Sequence, residues 1–491
     1  MNQVLHPFLL LSVIGIYFLL LMLISWWKGR NADTEGYFIG NKSSPWYIIA
    51  FGMIGDSLSG VTFVSVPGEV GVKHFFYLQI VFGYLVGYWI IAQVLLPLYY
   101  RMNLTSIYVY LKERLGNSAQ VTGSVFFLLS RSIGAAFRLY ISAGVLQLFL
   151  FGPLGVPFWV SVALIIMLIL AYTLKGGIKT LIWTDTFQSL FLLGGVILTC
   201  FSIINQLDLS FSEAVTTIVN SEYAQVFNWD FKSKDNFFKQ FISGIFIAIA
   251  MTGLDQNMMQ KNLSCKTLPE AQKNIKWFSV IVVFVNVIFV SLGALIYIYA
   301  NSKGIEIPKK TDALLPLLTF NYLGLFAAVV FILGIIAATF SSADSVLTTL
   351  TTSLYIDVLK LDSSTKVSNK QKINYRHFIH AFFAVSLFLL IMLFEIINDQ
   401  SVISGIFVAA GYTYGPLLGL FAFGIYTKKQ VINKLVPIIC ILSPIICWLL
   451  SRYSKELFNG YQIGFELLIM NGVLTFLGLM LISKENKHSV I

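Results

Sequence analysis

The chain of 491 residues is 57% hydrophobic and 15% aromatic but only 11% charged, and its mean hydropathy of +0.80 lies far outside the range of an ordinary soluble domain. This excludes a soluble enzyme and identifies a multi-pass membrane protein. The net charge of +10 comes from basic residues spread through short loops, with no basic block or aromatic-basic stripe, so nucleic acid is excluded as a partner.

Thirteen apolar runs, each near the length needed to cross about 30 Å of hydrocarbon, are expected at 5–27, 46–66, 75–99, 118–150, 155–174, 182–205, 239–258, 275–300, 322–355, 376–396, 401–425, 432–451 and 462–483. The first has no basic residue before it and no small-residue cleavage site, so it is expected to be retained as a helix. One set of loops carries 22 basic residues, Lys28, Arg30, Lys261, Lys366 and Lys487 among them, against 9 in the other set. The positive-inside rule then places the N-terminus outside and the C-terminus in the cytoplasm of a plasma or inner membrane.

The second run contains "GDSLSGVTFVSVPG". Asp56 falls near its centre, where a charge costs about 2.5–3.5 kcal/mol unless it faces protein, water or an ion. Gly55 and Gly60 are weak helix formers and Pro67 is expected to limit the helix just after. The stretch is therefore expected to unwind, freeing carbonyls that a small hard cation could satisfy beside the hydroxyls of Ser57, Ser59 and Thr62. A carboxyl kept neutral or hydrogen-bonded for packing is the alternative.

Further along, Arg131 and Arg138 lie seven apart on one face of a span and need carboxylates, water or an anionic substrate group. Both structural pairing and substrate binding fit them. Asp185 enters the run 182–205, and the segments 206–238 and 301–321 read as lids or as connectors. In "AATFSSADSVLTTLTTS", Ala338, Ser341, Ser342 and Ser345 recur at helical spacing, placing a carbonyl and three hydroxyls on one stripe with Asp344 beside it. Oxygen ligands on one face suit sodium; serines bonding back to their own helix are the alternative. The cysteines Cys200, Cys265, Cys440 and Cys447 show no metal-ligand spacing, and the five histidines form no nucleophile or metal constellation, so no enzyme is expected.

Six stretches in order, "SLSGVTFVSVPGEVG", "LTSIYVYLKERLG", "LKGGIKTLIWTDTFQSLFLLGG", "DQNMMQKNLSCKTLPEAQK", "AATFSSADSVL" and "GPLLGLFAFGIYTKK", resemble the sodium:solute symporter family through nearly the whole chain. The resemblance implies an all-α LeuT-type fold with two inverted five-helix repeats, over 46–205 and 239–425, one extra helix at 5–27 and two at 432–483. It implies a secondary active symporter driven by sodium, with a small organic solute, sodium and the lipid bilayer as its partners and no obligate protein partner. Carried over by motif, the shared sodium site uses the carbonyls of Gly55, Leu58 and Ala338 and the hydroxyls of Ser341 and Ser342.

A second sodium site matches Asp185, Ser341, Asp344 and Ser345, where Asp344 replaces a serine of sialic acid transporters in the family. The solute end matches Ser57, Ser59 and Thr62, with Gln79 on the next span and the two arginines nearby. The arginine that holds the substrate carboxylate in sialic acid transporters has no direct counterpart, since Gly134 falls at its position. Sugars, sialic-acid-like compounds, carboxylates and amino acids all stay open as solutes. Proton coupling through Asp56 or Asp344 is the nearest alternative. A membrane sensor of the same fold is the next, against which the chain ends at "LISKENKHSVI" with no room for a kinase.

Overall fold

The computed structural model describes residues 7–29, 40–42, 44–362, 367–397 and 402–484. Arg30, Lys366 and Lys487, used in the loop charge count, lie outside the described residues.

The chain is almost entirely helical. α1 (Pro7–Gly29) precedes α2 (Trp46–Ser57) and α3 (Gly60–Lys73), which are separated by two residues only. α4 (Tyr77–Ile90) runs on through a π turn at Ile91–Leu95 into Leu96–Arg101. After α5 (Val109–Leu115) come the long α6 (Asn117–Leu146) and α7 (Phe158–Gln206). α7 is bent at Gly177, whose φ of 55° lies in the left-handed region that glycine adopts without a Cβ clash. The expected break between the runs 155–174 and 182–205 falls there.

α8 (Phe211–Val219) leads to α9 (Phe237–Ala248), which ends in a π turn, and α10 (Gln256–Asn262), the pair bent by 69° at Leu254–Asp255. α11 (Leu268–Ser302), α12 (Leu314–Asn321) and α13 (Gly324–Ser353) follow. The chain closes with α14 (Asn369–Ile397), α15 (Val402–Tyr426), α16 (Val436–Arg452), α17 (Ser454–Leu457) and α18 (Leu467–Leu481). A two-residue antiparallel ladder pairs β1 (Gln430–Val431) with β2 (Ser483–Lys484).

Among the described residues nine helices are long and apolar enough to cross a membrane, or ten with the bent α9–α10 pair; Phe158–Thr173 and Leu467–Leu481 are shorter. This differs from the thirteen runs of the sequence because α2 stops after 12 residues, α3 and α4 join into one apolar stretch, and two runs fall short in length. Pro67 does not limit the helix: α3 passes through it to Lys73, while the Tyr297 hydroxyl donates to the Gly68 carbonyl one residue on (2.6 Å).

α13 is the centre of the bundle. Every side chain from Ile335 to Ser353 is buried, and its broadest neighbour is α7. The two helices approach so closely that a Cβ on Gly195 would lie 3.1 Å from the Gly334 Cα. α4 and α9 touch backbone to backbone as well: a Cβ on Gly83 would lie 2.1 Å from the Phe241 carbonyl oxygen, and one on Gly244 2.2 Å from that of Ile80. Small residues at such crossings let membrane helices gain dispersion contacts that lipid-facing side chains cannot supply.

Candidate functional site at the broken helix

The break between α2 and α3 consists of Leu58 (φ −100°, ψ 81°) and Ser59 (φ −78°, ψ 177°). The ladder reaches it from Leu58 N–H to Ile54 and resumes from Phe63 N–H to Ser59, so the carbonyls of Gly55 and Leu58 accept no helical hydrogen bond. In hydrocarbon such carbonyls need protein, water or an ion. The break is pressed against α13 and α7: the Gly55 amide donates to Ser189 Oγ (2.9 Å), and a Cβ on Gly55 would sit 2.7 Å from Ser341 Oγ.

Ser341, Ser342, Ser345 and Ala338 are all buried on α13, as is Asp344. Ser341 Oγ donates to Asp185 Oδ1 (3.2 Å) and Ser345 Oγ to Asp185 Oδ2 (3.4 Å). Ser342 Oγ bonds back to the Thr339 carbonyl (3.0 Å), the local alternative weighed for these serines. Asp344 turns the other way, its Oδ2 accepting from the Tyr172 hydroxyl (2.8 Å) while Oδ1 has no hydrogen-bond partner among the described residues. Three of the four residues matched to a second sodium site thus meet, and Asp344 sits at their edge.

Lys261 is the main correction. Its place in the loop charge count fails, because it is only 1% exposed inside α10. Its ammonium is ion-paired with both Asp56 and Asp185 and donates to Ser345 Oγ (2.9 Å). Asp56, the residue with no role in the motif match, is therefore one half of a bridge from α2 to α10, joined by Asn257 Nδ2 (3.4 Å). One lysine among Asp56, Asp185 and Asp344 leaves this buried group short of positive charge, which is costly in a low-dielectric interior. Its carboxylate and serine oxygens are of the kind a small hard cation takes as cargo, with the Lys261 ammonium already among them. Ser189 and Lys261 were missed from the sequence, although Ser189 stands four residues after Asp185, on the same helical face.

Arg131 is held by a bidentate pair with Asp255, Nε to Oδ2 at 2.6 Å and NH2 to Oδ1 at 2.7 Å. Tyr414 also donates to Asp255, whose Oδ1 accepts from the Met258 amide (3.1 Å) and so caps α10. Arg138 makes no such pair among the described residues. Gln79 does not reach the solute end: its amide donates to the Phe76 and Asp235 carbonyls (3.2 and 3.0 Å) and accepts from the Asn228 amide (3.1 Å), anchoring the segment 206–238 to α4.

A cavity of about 80 Å³ opens beside the break, lined by Asp56, Ser57, Ser59, Thr62, Arg131 and Arg138 with three tyrosines of α4. The residues expected at the solute end therefore share one wall, Gln79 excepted.

The chain as a whole is similar to known proteins. The model of the sodium:solute symporter family matches residues 37–433. The sodium/sialic acid symporter SiaT of Proteus mirabilis (strain HI4320) is 25% identical over 94% of this chain and 92% of its own length. Sodium-coupled monocarboxylate transporter 1 of Xenopus laevis is 24% identical over 89% of this chain and 68% of its own. A substrate-bound outward-open structure of a Na+-coupled sialic acid symporter superposes with a TM-score of 0.83 at 21% identity, covering 97% of this chain and 99% of that one, and so shares the fold. With a family match across residues 37–433, the chain belongs to the sodium:solute symporter family.

Proposed function

We propose that this protein is a sodium-coupled secondary active symporter that imports a small organic solute by alternating access. Its architecture is read as a LeuT-type pair of inverted five-helix repeats with thirteen crossings, the N-terminus outside and the C-terminus in the cytoplasm. The observation that carries the reading is the contact of the α2–α3 break with Ser341, beside a buried carboxylate group that one lysine does not neutralise. Sodium binds among the carbonyls of Gly55, Leu58 and Ala338 and the hydroxyls of Ser341 and Ser342, tying the broken helix to α13. Solute then binds near Ser59 and Thr62, the bundle rocks, and both are released inside. Sodium drives this only as far as it binds one state better than the other.

Asp344 favours a second reading. Its partnerless Oδ1 is a place for a second cation, either a sodium shared with Asp185 and Ser345 or a proton. Uptake into proteoliposomes under a sodium gradient at constant pH separates the cases. Sodium-driven accumulation supports the main reading, and accumulation driven by a pH gradient without sodium overturns it.

A further inference from the structure

Three residues in the wall of the cavity each keep a buried side-chain atom without a hydrogen-bond partner: Arg138 Nε, Asp56 Oδ1 and Asn286 Oδ1. Buried polar atoms are usually paired with protein or water, so three unpaired ones on one cavity wall leave room for a polar occupant. They differ in chemistry. Arg138, two helical turns from the paired Arg131, has no ion pair or side-chain hydrogen bond among the described residues, so it presents a buried guanidinium that suits a carboxylate. Asp56 and Asn286 present acceptors. The single charge of Lys261 is shared between Asp56 and Asp185, and the Asn286 amide group is spent on the Val282 carbonyl (2.7 Å). A cationic donor meets both needs, whereas a hydroxyl meets only the hydrogen-bonding one.

Resting on the symporter reading above, we propose that the solute is a small amino-acid-like zwitterion, its carboxylate held by Arg138 and its ammonium facing Asp56 and Asn286. Tyr77, Tyr84 and Tyr88 recur along one face of α4 and line the same cavity, giving it an aromatic wall. At about 80 Å³ the cavity is small and partly open, so it suits a small solute. A simple carboxylate leaves the two acceptors buried and bare, an amine leaves Arg138 bare, and a neutral sugar meets neither charge.

The test is thermal unfolding of the purified full-length protein, with and without sodium, against the standard amino acids, propionate, ethylamine, glucose and sialic acid. In sodium, at least one amino acid raises the midpoint, and its deaminated and decarboxylated analogues bind about a hundredfold more weakly or worse, as a site built for polar partners requires. Arg138→Gln loses the amino-acid shift and keeps the shift caused by sodium alone. Arg138→Lys retains the charge without the planar fork, and so a folded variant with weakened but measurable binding is expected even where glutamine is not tolerated. Propionate or sialic acid stabilising as strongly as the best amino acid, an undiminished response in Arg138→Gln, or a sodium shift with no amino-acid shift overturns the assignment. Loss of the sodium shift in the unmodified protein would instead overturn the coupling reading on which it rests.

Discussion

At the scale of single residues, Lys261 governs the site. Lys261→Met leaves Asp56 and Asp185 buried with no counter-charge, and removing one partner of such a pair typically costs about 3–5 kcal/mol. A correspondingly lower unfolding midpoint in detergent is expected, with Lys261→Arg close to the parent; an unchanged midpoint for the methionine variant would refute the pairing. Ser341→Ala removes a hydroxyl that touches both the break and Asp185. About tenfold more sodium for half-maximal uptake is expected, corresponding to about 1.4 kcal/mol, with the unfolding midpoint retained. The polar residue types of this site were legible in the sequence, since Asp56, Asp185 and the α13 serines stand out from apolar surroundings. The role of Lys261 was not, because a lysine at the end of a span reads equally well as a loop charge. Only packing shows that its ammonium turns inward between two carboxylates contributed by α2 and α7.

At the scale of elements, the two breaks are held by different means. The α2–α3 break is open on one side, while the α9–α10 bend is locked by Asp255, which caps α10 and closes on Arg131 and Tyr414. Asp255→Leu alone strands the Arg131 guanidinium and is expected to destabilise by about 3 kcal/mol or more. The double change with Arg131→Met should recover most of that loss, since a buried pair is often replaceable by apolar groups of similar volume. A double variant no more stable than Asp255→Leu would show that the pair does more than neutralise itself. At the α4–α9 crossing, Gly244→Ala places a methyl 2.2 Å from the Ile80 carbonyl oxygen and forces the helices apart. About 1–3 kcal/mol of destabilisation is expected, read from thermal unfolding. The sequence located Gly55 and Gly60 as weak points of a helix. It did not show that Pro67 would be carried inside α3, because a proline's effect depends on what satisfies the freed carbonyls around it.

At the scale of the whole molecule, the hydropathy pattern carried most of the architecture. Most of the length of the expected runs falls on helices of the described structure, and the family model matches residues 37–433. The proposed orientation rests on the remaining basic residues of the loop count, since removing Lys261 alone does not reverse their excess. A tag at the N-terminus is expected to be accessible from outside intact cells and one at the C-terminus only after permeabilisation; the reverse pattern would invert the proposed direction of transport. Composition, periodicity and the spacing of polar residues within spans were determined by the sequence alone, because each of these depends on neighbours in the chain and on the lipid around it. The tertiary structure alone decided which charges meet. Asp56, Asp185 and Lys261 come from three separate helices, Arg131 is neutralised by a residue 124 positions away, and Arg138 has no ion pair among the described residues. A buried charge takes its role from whichever groups lie within a few ångströms, and that distance is fixed by helix packing and not by position along the chain.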